Sequence, residues 1–174
     1  MKRTLVFLLA LAMLLAAASP CVASETILRT VTNPAGRYRI SVPASWQQEG
    51  GDDAEEIQFT SGEADVLSVI YLPFEPGTQP PVEEVVSVIT QNMTSQAAQA
   101  GSVFMVDEES RPIETAAGTF TYFGGLIMTG SAIYLVRYYI LPHQSTYYFL
   151  TVETMGGGFP DQAREAVNTF ELLP

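Results

Sequence analysis

Residues 120–153 hold three long apolar runs, Phe120–Met128, Ala132–Leu141 and Thr146–Glu153. Only Thr129-Gly130-Ser131 and Pro142-His143-Gln144-Ser145 separate them. Gaps this short, built from glycine, proline and polar residues, are turns, and runs joined by such turns are antiparallel strands. Ile133, Tyr134, Leu135 and Val136 are consecutive and apolar. Successive side chains of a strand point to opposite faces, so both faces of this sheet seek burial. A strand with two apolar faces needs cover on both sides. The rest of the chain has to supply that cover.

One covering element is plain. Val82, Val85, Val86, Ile89, Met93, Ala97 and Ala100 recur at spacings of three and four, which is one face of a helix. Pro81 suits its first turn, Glu83 and Glu84 its positive end, and Gly101 the position beyond its last turn. A second helix is expected over Pro160–Phe170, with Ala163, Ala166, Val167 and Phe170 on one face. Further strands are expected at Ile27–Thr32, Tyr38–Val42, Glu56–Thr60, Val66–Leu72 and Val103–Arg111. Asn33–Gly36 and Ser61-Gly62-Glu63-Ala64 read as turns, Gln48–Ala54 as a polar loop, and Pro73–Pro81 as a proline-rich connector. Strands, helix, strands and helix with hairpin connections predict an α+β fold. Its centre is an antiparallel sheet of about 6–8 strands with helices packed on it.

The stretch Gly36–Trp46, GRYRISVPASW, narrows this further. Tyr38, Ile40 and Val42 alternate with Arg37, Arg39 and Ser41. Pro43 removes a ladder donor and ends the pairing. Trp46 then has the size to fold back over the end of the core. A strand followed by G-x-Y-x-I-x-V-P-x-x-W resembles the PsbP-like superfamily on Gly36, Tyr38, Ile40, Val42, Pro43 and Trp46. That group includes PsbP of photosystem II, the bacterial DcrB-like lipoproteins and the Ran-binding Mog proteins. The mid-chain helix and the C-terminal AVNTFELL, Ala166–Leu173, fit it too. The resemblance implies a three-layer α/β/α sandwich and an accessory or assembly role through protein–protein contacts. It supplies no shared catalytic residues.

The N-terminus has the layout of a secretory signal. Lys2 and Arg3 precede a charge-free apolar run, Leu5–Ala18, and small residues Cys21 and Ala23 mark a cleavage site after Ala23. The run is shorter than the roughly 20 residues of a membrane span. The alternatives are a retained anchor and lipid attachment through Cys21, where Pro20 stands in place of the usual small residue. Removing residues 1–23 from 174 leaves 151 residues, expected to form a single PsbP-like domain, 24–174, outside the cytoplasm. Without Lys2 and Arg3 the formal charge of −11 becomes −13. The remaining basic residues are all arginine: Arg29, Arg37, Arg39, Arg111, Arg137 and Arg164. With no lysine, Schiff-base chemistry and a P-loop lysine are excluded. The acid excess argues against nucleic acid and against anionic membrane surfaces. It also departs from the charge-guided docking associated with PsbP.

Chemistry is sparse. His143 is the only histidine and reads as a turn residue. A triad needs a nucleophile and an orienting acid beside it, and tight zinc needs several His or Cys ligands. The acidic runs Asp52-Asp53-Glu55-Glu56 and Asp107-Glu108-Glu109 lack the spaced pattern of a calcium loop. Arg137, inside an apolar strand, has to pair with a carboxylate or reach the surface. Gly124-Gly125 inside a strand predicts a bulge or a close backbone approach. No catalytic, cofactor-binding or metal-binding residue is assigned, and no cofactor. The expected function is that of an exported, non-enzymatic accessory or binding protein with a protein partner in the envelope. The alternatives are an envelope hydrolase using carboxylates and a weak divalent-cation binder.

Overall fold

The computed structural model describes residues 27–50, 56–61, 65–155 and 161–174. The expected signal, Cys21, and Asp52, Asp53 and Glu55 of the first acidic run lie outside the described residues. Ten strands and two helices follow in the order β1 (Leu28–Thr32), β2 (Tyr38–Pro43), β3 (Gln47–Gly50), β4 (Glu56–Thr60), β5 (Val66–Pro73), α1 (Val82–Gln99), β6 (Val103–Thr115), β7 (Gly118–Thr129), β8 (Ala132–His143), β9 (Thr146–Met155), α2 (Asp161–Asn168) and β10 (Glu171–Leu172). Strands β3-β4-β5-β9-β8-β7-β6 form a seven-stranded sheet, and β1-β2-β10 a separate three-stranded one. Every pairing is antiparallel.

Cover comes from two sides. Along β8, Tyr138 and Ile140 join one core with Val82, Val85, Val86, Ile89 and Met93 of α1. The intervening Tyr139 and Leu141 join the other core, with Ala163, Ala166 and Val167 of α2 and Tyr38, Ile40 and Val42 of β2. Strict alternation between the two clusters puts them on opposite faces of the large sheet. The Gly36–Trp46 stretch therefore works from a second sheet. Tyr38, Ile40 and Val42 are fully buried, and Tyr38 packs with Phe170 and Tyr148.

Helix α1 ends as its sequence dictates. Gly101 has φ +69°, its N–H donates to the Ala98 carbonyl, and the Ser102 N–H reaches back to Ala97 at 2.7 Å. This paired closure needs a left-handed residue just beyond the helix.

Several expectations are corrected. Of the expected loop Gln48–Ala54, Gln48–Gly50 belongs to the edge strand Gln47–Gly50, paired with β4, and the rest lies outside the described residues. Gln47, Gln48 and Glu49 are exposed, so no apolar alternation marks the strand. Strands β1 and β2 leave the central sheet. The expected strand Val103–Arg111 runs on to Thr115, and Pro112 is tolerated because β6 is the sheet edge. The last helix stops at Asn168 rather than Phe170, and Glu171–Leu172 pairs with Arg39 and Tyr38. His143 is the last residue of β8, opposite Thr146. The turn itself is Gln144-Ser145, with Gln144 at φ +53°.

Candidate functional site

Charged side chains and apolar walls meet where α2 lies beside β6, β7 and β8. A cleft of about 530 Å³ opens there. Two register shifts in β6 shape it, between Val106 and Glu108 and between Glu108 and Arg111. The first lies opposite Gly125 and Gly124. Asp107 is the extra residue, and a bulge re-aims side chains. Its carboxylate grips the Arg137 guanidinium with two bonds, Nη1–Oδ1 and Nη2–Oδ2, both 2.9 Å. Glu108 Oε1 adds a contact to Nε at 3.5 Å. The Val136 carbonyl accepts from Nη1 at 3.2 Å. Arg137 is only 6% exposed, so this ring of acceptors is what lets a cation sit inside the sheet face.

The two glycines make the room. A methyl group at Gly124 would lie 2.6 Å from Arg137 Nη1, and one at Gly125 would run into the Phe104 ring and the Met105 carbonyl. Pairing of β7 with β8 stays regular there, Gly124 opposite Arg137 and Gly125 opposite Val136. The bulge lies in the strand across, and mainly side chains crowd the glycines. Gly125→Ala is expected to cost about 1–3 kcal/mol through overpacking, read as a lower urea midpoint. An unchanged midpoint would show that Phe104 swings aside freely.

Tyr122 and Tyr139 stand on the same face as Arg137. Burial raises the Tyr122 hydroxyl well above the ordinary tyrosine range, and its hydrogen bond to Glu108 adds to this. Tyr139 is pushed up to about 12 by burial, against the pull of the Arg164, Arg137 and Arg111 guanidiniums. Both stay protonated at neutral pH. Arg111 lies over the Tyr122 ring at 5.0 Å and reaches Glu108 at 3.3 Å. Arg164 arrives from α2, 3.5 Å from Asp161.

Of the residues singled out in the sequence, the structure joins Arg137 to Asp107 and Glu108. It leaves Glu109 exposed. His143, six residues along β8, is about 20 Å from Arg137 by strand rise. No one pattern in the sequence groups Tyr122, Arg111, Tyr139 and Arg164 with Arg137, Asp107 and Glu108. Alternation along β8 does set Leu135, Arg137 and Tyr139 on one face, but the arrival of Arg164 needs the packed helix. Among the described residues no group of three His, Cys, Asp or Glu side chains is placed to hold a metal ion. No described helix is long and apolar enough to cross a membrane. The two cleft carboxylates are turned onto guanidiniums, an arrangement suited to holding charge rather than moving protons.

Beside the cleft the same face becomes bare. Met105, Leu126 and Leu135 form one ladder row, and Val103, Met128 and Ile133 the next. Val103, Met105 and Ile133 are 53%, 44% and 46% exposed. The row nearest the cleft ends on Leu135, which lines it.

No protein-family description matches this chain, and no curated protein matches it in sequence. Solved structures do. A protein from Bacteroides thetaiotaomicron is similar with a TM-score of 0.59 at 10% identity, over 84% of this chain. The chain spans about half of that protein, 48% of its length. The Ran-binding protein Mog1p of Saccharomyces cerevisiae matches with a TM-score of 0.52 at 10% identity, over 85% of this chain and 96% of Mog1p. A point mutant of Mog1 matches at 0.54 and 8% identity, over 84% of this chain and 96% of the mutant. The chain thus has the fold of the Mog1 proteins, one of the groups that the Gly36–Trp46 stretch resembles.

Proposed function

We propose that this protein is an exported, non-enzymatic accessory protein that binds another protein through the bare end of its seven-stranded sheet. The observation that carries this is the pair of apolar ladder rows, Met105-Leu126-Leu135 and Val103-Met128-Ile133, left partly open beside a charged cleft. Contiguous exposed apolar rows rimmed by polar residues mark interaction surfaces. A Ran-binding protein on the same fold supports a protein partner. The signal-like residues 1–23 support export, with residues 24–174 as the working domain and lipid attachment through Cys21 as the minority route. The two clusters flanking the large sheet support the three-layer α/β/α reading. The acid excess speaks against nucleic acid and anionic membranes as partners. A carboxylate hydrolase would need a carboxylate at liberty to act on substrate, and Asp107 and Glu108 are engaged by Arg137 and Arg111. The test is affinity purification from the protein's own envelope fraction, with Ile133→Glu and Met105→Glu in parallel. A partner held in stoichiometric amount by the parent and lost from both variants is expected. Equal retention by parent and variants would end the proposal.

A further inference from the structure

The chain is strongly acidic, yet the cleft is not. Three of the six arginines beyond residue 23, Arg111, Arg137 and Arg164, line it against two carboxylates, Asp107 and Glu108. Its formal charge is positive within a chain of −11. Both carboxylates turn onto Arg137 at the floor. Arg111 and Arg164 stand at the rim with side chains 60% and 59% exposed. Their ion pairs, at 3.3 Å and 3.5 Å, are long, and Asp161 opposite Arg164 is 94% exposed. Exposed pairs of this kind hold weakly, and a guanidinium carries five N–H donors in a fork, more than one carboxylate uses.

Ile113, Leu135 and Val167 give the cleft an apolar wall. A volume of about 530 Å³ falls within the roughly 300–1,000 Å³ of small-ligand sites. Guanidinium forks match a planar carboxylate, and the wall matches a hydrocarbon body. We propose that the cleft binds a small carboxylate with an apolar body, its carboxylate between Arg111 and Arg164 and its body against Ile113, Leu135 and Val167. All three guanidiniums line the one cleft, and each lowers the Tyr139 hydroxyl against the effect of its burial. The acid excess elsewhere does not forbid an anion here, because exposed charges are screened beyond about 8 Å at physiological salt.

This site shares Leu135 with the nearer of the protein-binding rows and is tested apart from them through Ile133 of the farther row. Calorimetric titration of the purified protein with octanoate is the experiment, with octanamide as the uncharged control. Octanoate is expected to bind saturably, one per chain, and octanamide about tenfold or more weakly, as one charge-assisted contact requires. Arg111→Ala and Arg164→Ala should each weaken octanoate about tenfold and leave octanamide unchanged. Both arginines are more than half exposed, and unchanged circular dichroism and melting would confirm that the variants fold. If they do not, Arg111→Gln and Arg164→Gln keep the stem and serve instead. Ile133→Glu should leave octanoate binding as it was. No saturable octanoate binding, equal binding of octanoate and octanamide, indifference to the arginine variants, or loss with Ile133→Glu would each overturn the assignment.

Discussion

Asp107→Ala is expected to destabilise the protein by about 3 kcal/mol, the lower end of what breaking a buried ion pair costs. Arg137 keeps 7% of its side chain exposed, and Asp107 supplies both of its 2.9 Å carboxylate bonds. Without Asp107, a guanidinium inside the sheet face retains Glu108 at 3.5 Å and the Val136 and Gly125 carbonyls. Those remaining acceptors, and the 24% exposure of the Asp107 side chain, keep the cost from rising further. The harm comes from stranding a buried cation rather than from losing an attraction. Two charges removed together leave nothing stranded. Asp107→Ala combined with Arg137→Met should therefore return to within about 1–2 kcal/mol of the parent. Glu108→Gln should cost less than about 1 kcal/mol, because that side chain is 38% exposed. Urea unfolding of the parent, Asp107→Ala, Arg137→Met and the double variant forms the cycle, with Glu108→Gln measured beside it. A double variant as unstable as Asp107→Ala alone would show that the pair is held for packing and not for charge.

The same pair shows where the sequence stops being readable. That Arg137 needs a partner follows from its apolar neighbours, whichever strand supplies it. Which carboxylate answers depends on a bulge thirty residues upstream, and a bulge has no pattern of its own when its strand is an exposed edge. Gly124-Gly125 is the visible trace of that bulge, seen from the strand across. Helix α1 was legible because its whole buried face is periodic and its stop is a glycine in the left-handed region. The two-faced strands β7, β8 and β9 were legible because both faces are apolar. Strand β3 was hidden by the opposite property: Gln47, Gln48 and Glu49 are all exposed, so only its pairing with β4 reveals it. Strand β10 is two residues long and exists because β2 stands beside it. The cleft was the least readable part. Arg111, Tyr139 and Arg164 come from an edge strand, a central strand and a helix, and only their packing makes them neighbours.

Trp46→Ala is expected to cost about 3–5 kcal/mol, the range for truncating a buried large aromatic. Trp46 is 3% exposed and belongs to the core that β2, α2 and the large sheet share. Its position is set from both sides. The Trp46 N–H donates to the Pro43 carbonyl at 3.0 Å, closing the turn after β2. Its own carbonyl accepts from Arg29 Nη2 of β1 at 3.1 Å, and the Arg29 guanidinium lies 5.8 Å from the Phe59 ring. The ring therefore joins the small sheet to the large one at a point held by backbone bonds, where a void cannot close easily. Domains of this size have about 5–15 kcal/mol in total, so the variant keeps a small reserve. Melting should fall by roughly 6–20 °C, at about 2–4 °C per kcal/mol for a chain of this length. Gln47→Ala, next in sequence and exposed, should stay within about 0.5 kcal/mol of the parent, which separates the ring from the turn that carries it. Trp46 is the only tryptophan, so the parent's fluorescence reports on this site alone. Its emission should be blue-shifted and poorly quenched by iodide. Emission like that of indole in water, or equal melting points for Trp46→Ala and Gln47→Ala, would show that the ring does not close the core.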